Sequence, residues 1–134
     1  MDTTEQYIKM CEQAWEIQEQ NKFAYWGDGD TYYSPRAQRV FMFTMGLGDV
    51  AKSHLPGEVW LPRQDQLQNM MRTKYDLPNI CVEFYCFISG RVPLTNEIFA
   101  NPIWETFTSM EQLWLAFVMQ EKYGKVWGGE SWAD

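Results

Sequence analysis

Hydrophobic side chains near the N-terminus recur every three or four residues, which predicts an amphipathic helix over residues 3–21. Thr3 followed by Gln6 resembles a capping box and marks the start of this helix. The predicted inner stripe consists of Tyr7, Ile8, Cys11, Ala14, Trp15 and Gln18. The opposite side is polar and acidic, and it carries Glu12, Gln13, Glu16, Glu19 and Gln20. We therefore expect the inner stripe to cover a core and the acidic face to meet solvent.

After residue 22 the pattern changes to that of short strands. Residues 23–26, 31–33 and 39–44 are rich in aromatic and β-branched side chains, and glycine, aspartate, serine and proline separate these runs. Residues 58–61 have a similar composition. The pattern predicts a small antiparallel sheet over residues 22–45 and 58–61, with one face on the N-terminal helix.

Three further helices are predicted after residue 61. Pro62 suits a first helical position, which indicates a helix over 62–74. Residues 79–88 fit either a strand or a helix, and Pro78 favours the helix. A helix over 108–123 has capping residues at both ends, and we expect Leu113, Trp114, Phe117 and Val118 to form the central core. The predicted fold is thus α+β, a single domain over 1–134 in which a small sheet packs with three to four helices.

The composition points to a binding protein that does not hold nucleic acid directly. Eighteen acidic and eleven basic residues leave a net charge of −7. Binding to nucleic acid depends on basic side chains that displace counterions from the phosphates. We therefore expect no direct binding of nucleic acid by this chain. The negative charge favours a partner with a basic surface, or it simply keeps the chain in solution. Seven tryptophans exceed the needs of a small core, so some are expected at the surface as contacts for a partner.

No catalytic or metal-binding motif is recognisable, and we predict neither a cofactor nor an enzyme. His54 is the single histidine, so a site with two histidine ligands is excluded. Cys81 and Cys86 lie five residues apart, which is not a zinc-binding spacing, and we expect both to be buried. Asp28-Gly29-Asp30 is expected to be a turn rather than a calcium loop, and the glycines at 46 and 48 lack the third glycine of a dinucleotide-binding motif.

The cysteine count, the N-terminal segment and the length of the apolar stretches indicate where the protein is located in the cell. Three cysteines in a chain that begins with an acidic, polar segment indicate free thiols in the cytoplasm. The longest apolar stretch is far shorter than the ~20 residues of a membrane-spanning helix, so we expect no membrane association. A homo-oligomer is compatible with the sequence.

One cluster has the residue types of a ligand site. A helix that begins at Pro62 would point free N–H groups at an anion, and Arg63 would add a forked donor. The ring of Trp60 could stack on the base of a nucleotide. The remaining polar members of the cluster are Gln64, Asp65 and Gln66. The alternative is that these side chains only cap the helix and hold the preceding loop.

Several stretches resemble a family of small uncharacterised proteins from phages and prophages of gut bacteria. The resemblance lies in residues 60–68 and 108–127, and it extends to residues 7–12 with Ile17 and Gln18. It covers about a third of the chain and carries over no activity and no site residues. What it implies is a context, because small phage proteins are often accessory factors that act against host defence.

The first hypothesis is an acidic inhibitor, comparable to an anti-CRISPR protein, that blocks a basic groove on a host defence protein. The alternatives are a protein that sequesters a small nucleotide-like signal at Trp60 and Arg63, and a phage structural or packaged protein without a ligand. For the first hypothesis the candidate surface is the acidic face of the N-terminal helix, with Glu12, Glu16 and Glu19.

Overall fold

The computed structural model describes residues 1–22, 29–42 and 57–134. The chain divides into two compact units, of which unit 1 comprises Met1–Arg63 with Trp127–Asp134 and unit 2 comprises Gln64–Val126. The α+β class is confirmed, because a three-stranded antiparallel sheet and a two-stranded sheet accompany the helices. The single domain stays a prediction. Within the described ranges, none of the helices is both long enough and apolar enough to cross a lipid bilayer.

The N-terminal segment of unit 1 forms two helices where the sequence predicted one. These are α1, Glu5–Gln13, and α2, Trp15–Lys22. The side chain of Thr4, rather than that of Thr3, caps α1 by accepting a hydrogen bond from the backbone N–H of Tyr7. Ala14 separates the helices with a ψ of 67°, far from the helical value. The side chains that follow residue 14 therefore change direction relative to α1.

The sheet of unit 1 contains three of the strands expected from the runs of aromatic and β-branched residues. They are β1, Thr31–Ser34, β2, Arg39–Met42, and β3, Val59–Leu61, in the order β2-β1-β3 with antiparallel pairing. In this register Tyr32 of β1 lies opposite both Phe41 and Trp60. The strand expected at 23–26 and the end of the one at 39–44 lie outside the described residues.

Helix α1 packs against β3, as predicted for the N-terminal helix and the sheet. Gln18 closes the outer edge of β3, because its side-chain amide pairs with both backbone groups of Trp60. Its Nε2 donates to the Trp60 carbonyl at 2.9 Å and its Oε1 accepts from the Trp60 N–H at 2.8 Å. The same Nε2 donates to the carbonyl of Cys11 at 3.1 Å. One side chain thus joins the break between the two helices to the edge of the sheet.

The C-terminal tail returns to unit 1 through two short strands. These are β4, Val126–Trp127, and β5, Trp132–Ala133. Trp127 is buried, and its ring centroid lies 5.0 Å from that of Trp132. The Trp132 indole N–H donates to the carbonyl of Met10 at 2.9 Å, so the tail is fastened to α1.

Unit 2 is helical. Its helices are α3, Gln64–Met71, α4, Leu77–Ser89, and α5, Met110–Tyr123, and both α3 and α4 pack against α5. Residues 79–88 are therefore helical, the alternative that Pro78 favoured. Asp76 caps α4 and Ser109 caps α5, and Gly90 and Gly124 end them in the left-handed conformation. The predicted core position of α5 is confirmed, because every side chain from Gln112 to Met119 is buried.

Candidate functional site

Trp60 does not offer the open ring that the predicted nucleotide site requires. It is the middle residue of β3, and only 6% of its surface is exposed. Its backbone groups are occupied by Gln18, and its neighbours Val59 and Leu61 are also buried. The expectation of a stacking surface at Trp60 is therefore wrong. The short apolar run around it is a fully buried strand, a pattern that does not distinguish core from surface rings.

Arg63 is directed toward a turn of its own unit. Its Nη1 donates to the carbonyl of Gly29 and to the Asp30 carboxylate, both at 3.2 Å. Asp30 is buried, whereas about a third of the Arg63 side chain is exposed. A charge-assisted pair of this kind favours the structural alternative for Arg63, in which it holds the loop. Asp30 of the Asp28-Gly29-Asp30 turn is thus paired with Arg63. Asp28 lies outside the described residues.

The helix next to this cluster begins later than predicted. Pro62 precedes α3 by two residues, and its carbonyl accepts a hydrogen bond from the Tyr7 hydroxyl at 2.5 Å. Because Pro62 is not the first helical residue, the predicted anion site at a proline-started helix is not formed there. Gln64, Asp65 and Gln66 make up the first turn of α3 and belong to unit 2, whereas Trp60 and Arg63 belong to unit 1. The boundary between the units thus passes through the predicted site.

The acidic face of the N-terminal segment differs from the prediction at two neighbouring positions. Glu12 and Glu19 are exposed as expected, but Glu16 is buried. Trp15, which was expected on the inner stripe, is 61% exposed. The break at Ala14 is the physical reason, because a continuous helix would carry the stripe on to Trp15, whereas α2 buries Glu16, Ile17 and Asn21. The outcome is an exposed indole that lies, in the sequence, between two exposed carboxylates.

The cysteines also depart in part from the prediction. Cys81 is exposed on α4 and Cys86 is partly exposed, whereas Cys11 is buried. Burial raises the pKa of both the Cys11 and the Cys86 thiol. Among the residues that the structure describes, no group of three or more histidine, cysteine, aspartate or glutamate side chains is placed to hold a metal ion. His54 and the glycines at 46 and 48 lie outside the described residues.

The two candidate areas therefore differ in how far their side chains are exposed to solvent. In the first area, Trp60 is buried and Arg63 is paired with the turn at Gly29 and Asp30 of unit 1. In the second, the side chains of Glu12, Trp15 and Glu19 are exposed, and these three residues are called here the Trp15 surface. Sequence reasoning found its two glutamates but placed its indole in the core. Comparisons of the chain with protein families, with curated proteins and with solved structures found no match.

Proposed function

We propose that this chain is a non-enzymatic accessory protein of a phage or prophage. In this proposal the Trp15 surface covers a basic surface of a host defence protein, such as an RNA-guided nuclease, and blocks it. The phage context comes from the sequence resemblance at residues 60–68 and 108–127. The observation that carries the choice of surface is the 61% exposure of Trp15 between Glu12 and Glu19.

An exposed tryptophan of this kind is what a protein interface uses as an anchor. Burying an indole at an interface removes a large apolar area from water, and tryptophan is enriched among the residues that dominate binding energies. Trp15 starts α2, so its backbone is held by the helix, and less conformational freedom is lost on binding. Such an anchor supports a protein partner more strongly than a small-molecule ligand.

The charge around Trp15 supports a basic partner. The first 22 residues contain five acidic side chains and two lysines. One of these, Lys9, forms an ion pair with Glu130 of the tail, which further reduces the free positive charge of this segment. Glutamates at the rim of an interface accelerate the encounter with a basic surface and disfavour acidic partners.

The test measures DNA cleavage by a purified RNA-guided nuclease in the presence of the full chain. We expect stoichiometric inhibition that weakens as salt is raised, because rim charges are screened. Trp15→Ala should raise the concentration needed for half-inhibition by about 30-fold, the effect of losing an anchor worth about 2 kcal/mol. Glu12→Lys with Glu19→Lys should abolish inhibition.

Matched controls come from unit 2, which offers an exposed tryptophan and an exposed glutamate. Trp104→Ala and Glu105→Lys carry the same chemical changes at residues that are not part of the Trp15 surface, and they should leave inhibition unchanged. Thermal melting of each variant establishes that it is folded. Inhibition by folded Trp15→Ala equal to that by the wild type would place the contact elsewhere and refute the proposal.

A second candidate, a structural or packaged phage protein that self-associates, is favoured by exposed apolar side chains in unit 2. Leu94, Ile98 and Phe99 are 99%, 65% and 61% exposed in the connector between α4 and α5. Sedimentation velocity over a range of concentrations tests it. A monomer at all concentrations would exclude this candidate, whereas a dimer that Leu94→Glu dissociates would support it.

A further inference from the structure

Unit 2 contains a groove that the predicted sites do not include. Its volume is about 260 Å³, and one wall is formed by Asp65, Gln68, Asn69 and Arg72. These residues follow one another at intervals of three, one and three, so they lie along one side of α3 and the turn that ends it. The wall carries a carboxylate at one end, two amides in the middle and a guanidinium at the other end. At 1.5 Å per residue, the two charged ends are about 10 Å apart along the helix axis.

The other side of the groove is apolar. It is lined by Leu77 and Ile80 from the first turn of α4 and by Trp114 of α5. Leu77 is 57% exposed. Trp114 is buried and stacked on Phe84, with the ring centroids 3.9 Å apart. Its indole N–H has no acceptor among the described residues.

The polar wall has the groups that a peptide backbone pairs with. The side-chain amides of Gln68 and Asn69 each offer a donor and an acceptor, as a peptide group does. Arg72 can bind a carboxylate through two parallel hydrogen bonds. An extended chain covers about 3.3–3.6 Å per residue, so about three residues span the wall. The groove is also smaller than the ~300–1,000 Å³ of sites for drug-sized ligands, which favours a short ligand over a nucleotide.

We propose that this groove binds a short extended peptide that ends in a free carboxylate. The terminal carboxylate pairs with Arg72, and the backbone runs along the amides of Gln68 and Asn69. An apolar side chain of the peptide lies against Leu77 and Ile80.

Charge selects the direction of the peptide. Asp65, at the opposite end of the wall from Arg72, would attract the ammonium group of a free tripeptide. The C-terminus of a longer protein would present the same carboxylate and apolar side chain without that ammonium. The shared chemistry is an apolar segment with a terminal carboxylate, and the experiment separates the two sources.

Cys81 is exposed and also lines the groove, so chemical modification of its thiol can measure whether the groove is occupied. The other thiols are less reactive, since Cys11 is buried and burial raises the pKa of both Cys11 and Cys86. We therefore expect iodoacetamide to modify Cys81 first at neutral pH, which peptide mass spectrometry can follow. A bound peptide should slow this modification.

The experiment measures the rate of Cys81 modification in the full chain with the tripeptide alanyl-leucyl-alanine. We expect saturable protection, which should need about tenfold more peptide when the peptide is amidated at its C-terminus or when Arg72 is changed to Gln. Arg36→Gln makes the same change in an exposed turn of unit 1 and should leave protection intact. Replacing the leucyl residue of the peptide by seryl should also weaken protection.

The source of the peptide follows from two further arms. Weaker protection after acetylation of the tripeptide would indicate a free peptide, and equal protection by a twelve-residue peptide with the same C-terminus would indicate a protein C-terminus. No protection up to about 10 mM peptide, where even millimolar affinity would be visible, would overturn the proposal. Protection by adenosine monophosphate without protection by the peptide would overturn it as well.

This proposal is independent of the Trp15 surface. Trp15→Ala should leave the protection of Cys81 unchanged, and Arg72→Gln should leave nuclease inhibition unchanged. A failure of one proposal is therefore distinguishable from a failure of the other.

Discussion

Gln18 is the side chain whose removal most directly tests how unit 1 is held together. Gln18→Ala removes three hydrogen bonds, two of which pair the backbone N–H and carbonyl of Trp60. Because Trp60 is buried, water does not readily replace both partners. At about 0.5–1.5 kcal/mol net per hydrogen bond, and with Gln18 itself partly exposed, we expect a loss of about 2–3 kcal/mol in the free energy of unfolding.

Urea denaturation followed by circular dichroism measures this loss, with Gln20→Ala as the matched control. Gln20 lies in the same helix and is exposed, so its substitution should change the free energy of unfolding by no more than about 0.5 kcal/mol. Gln18→Met keeps the length of the side chain without its hydrogen bonds, and it should lose nearly as much as Gln18→Ala.

Hydrogen exchange gives a second, local readout. The amide of Trp60 should exchange faster in both Gln18 variants, since its acceptor is the Gln18 side chain. A Gln18→Ala protein as stable as Gln20→Ala, with unchanged protection at Trp60, would refute the role given to Gln18.

Three more predictions concern unit 2. Phe117→Ala should cost about 3–5 kcal/mol by leaving a cavity, because Phe117 is fully buried; a melting temperature within error of the wild type would contradict this. Gly90→Ala should cost about 2–3 kcal/mol, since Gly90 has a φ of 65° and the added methyl carbon would lie 2.1 Å from the Ala100 carbonyl oxygen. Gly124→Ala, with a φ of 67° and no atom within 4 Å of the methyl position, should cost only about 1 kcal/mol, and equal losses at the two glycines would exclude the close contact. A hydrogen bond to a glutamate of α5 raises the pKa of Tyr75 from 10.0 to about 12. The protonated phenol thus stabilises the folded state fully below pH 10, and this contribution is lost as the pH rises from 10 to 12. In urea titrations, the free energy of unfolding should therefore fall less over this pH range for Tyr75→Phe than for the wild type.

The sequence by itself determined the elements whose signals are local. Ser109 and Gly124 bound α5 because a capping hydroxyl and a left-handed glycine act within one turn of the helix end. The strand runs around Tyr32 and Val40 were recognisable from their aromatic and β-branched residues. Pro78 correctly favoured a helix in the segment that fitted either structure.

Only the tertiary structure decided which side chains face solvent near the N-terminus. The helical period continues through residue 14, and no local signal marks a break there. The break coincides with the hydrogen bonds from Gln18 to Cys11 and to Trp60, which is 42 residues away in the chain. Sequence periodicity describes one helix at a time and contains no information about such a partner, so it placed Trp15 and Glu16 on the wrong sides.

The candidate sites show the same division. Trp60 and Arg63 have the residue types of a ligand site, but the strand that pairs with Trp60 and the turn that binds Arg63 are distant in sequence. The groove of unit 2 brings a polar stripe of α3 to the first turn of α4 and to Trp114 of α5. Each stripe taken alone is typical of a solvated helix face, and only the packing of α3 and α4 on α5 makes them two walls of one cavity.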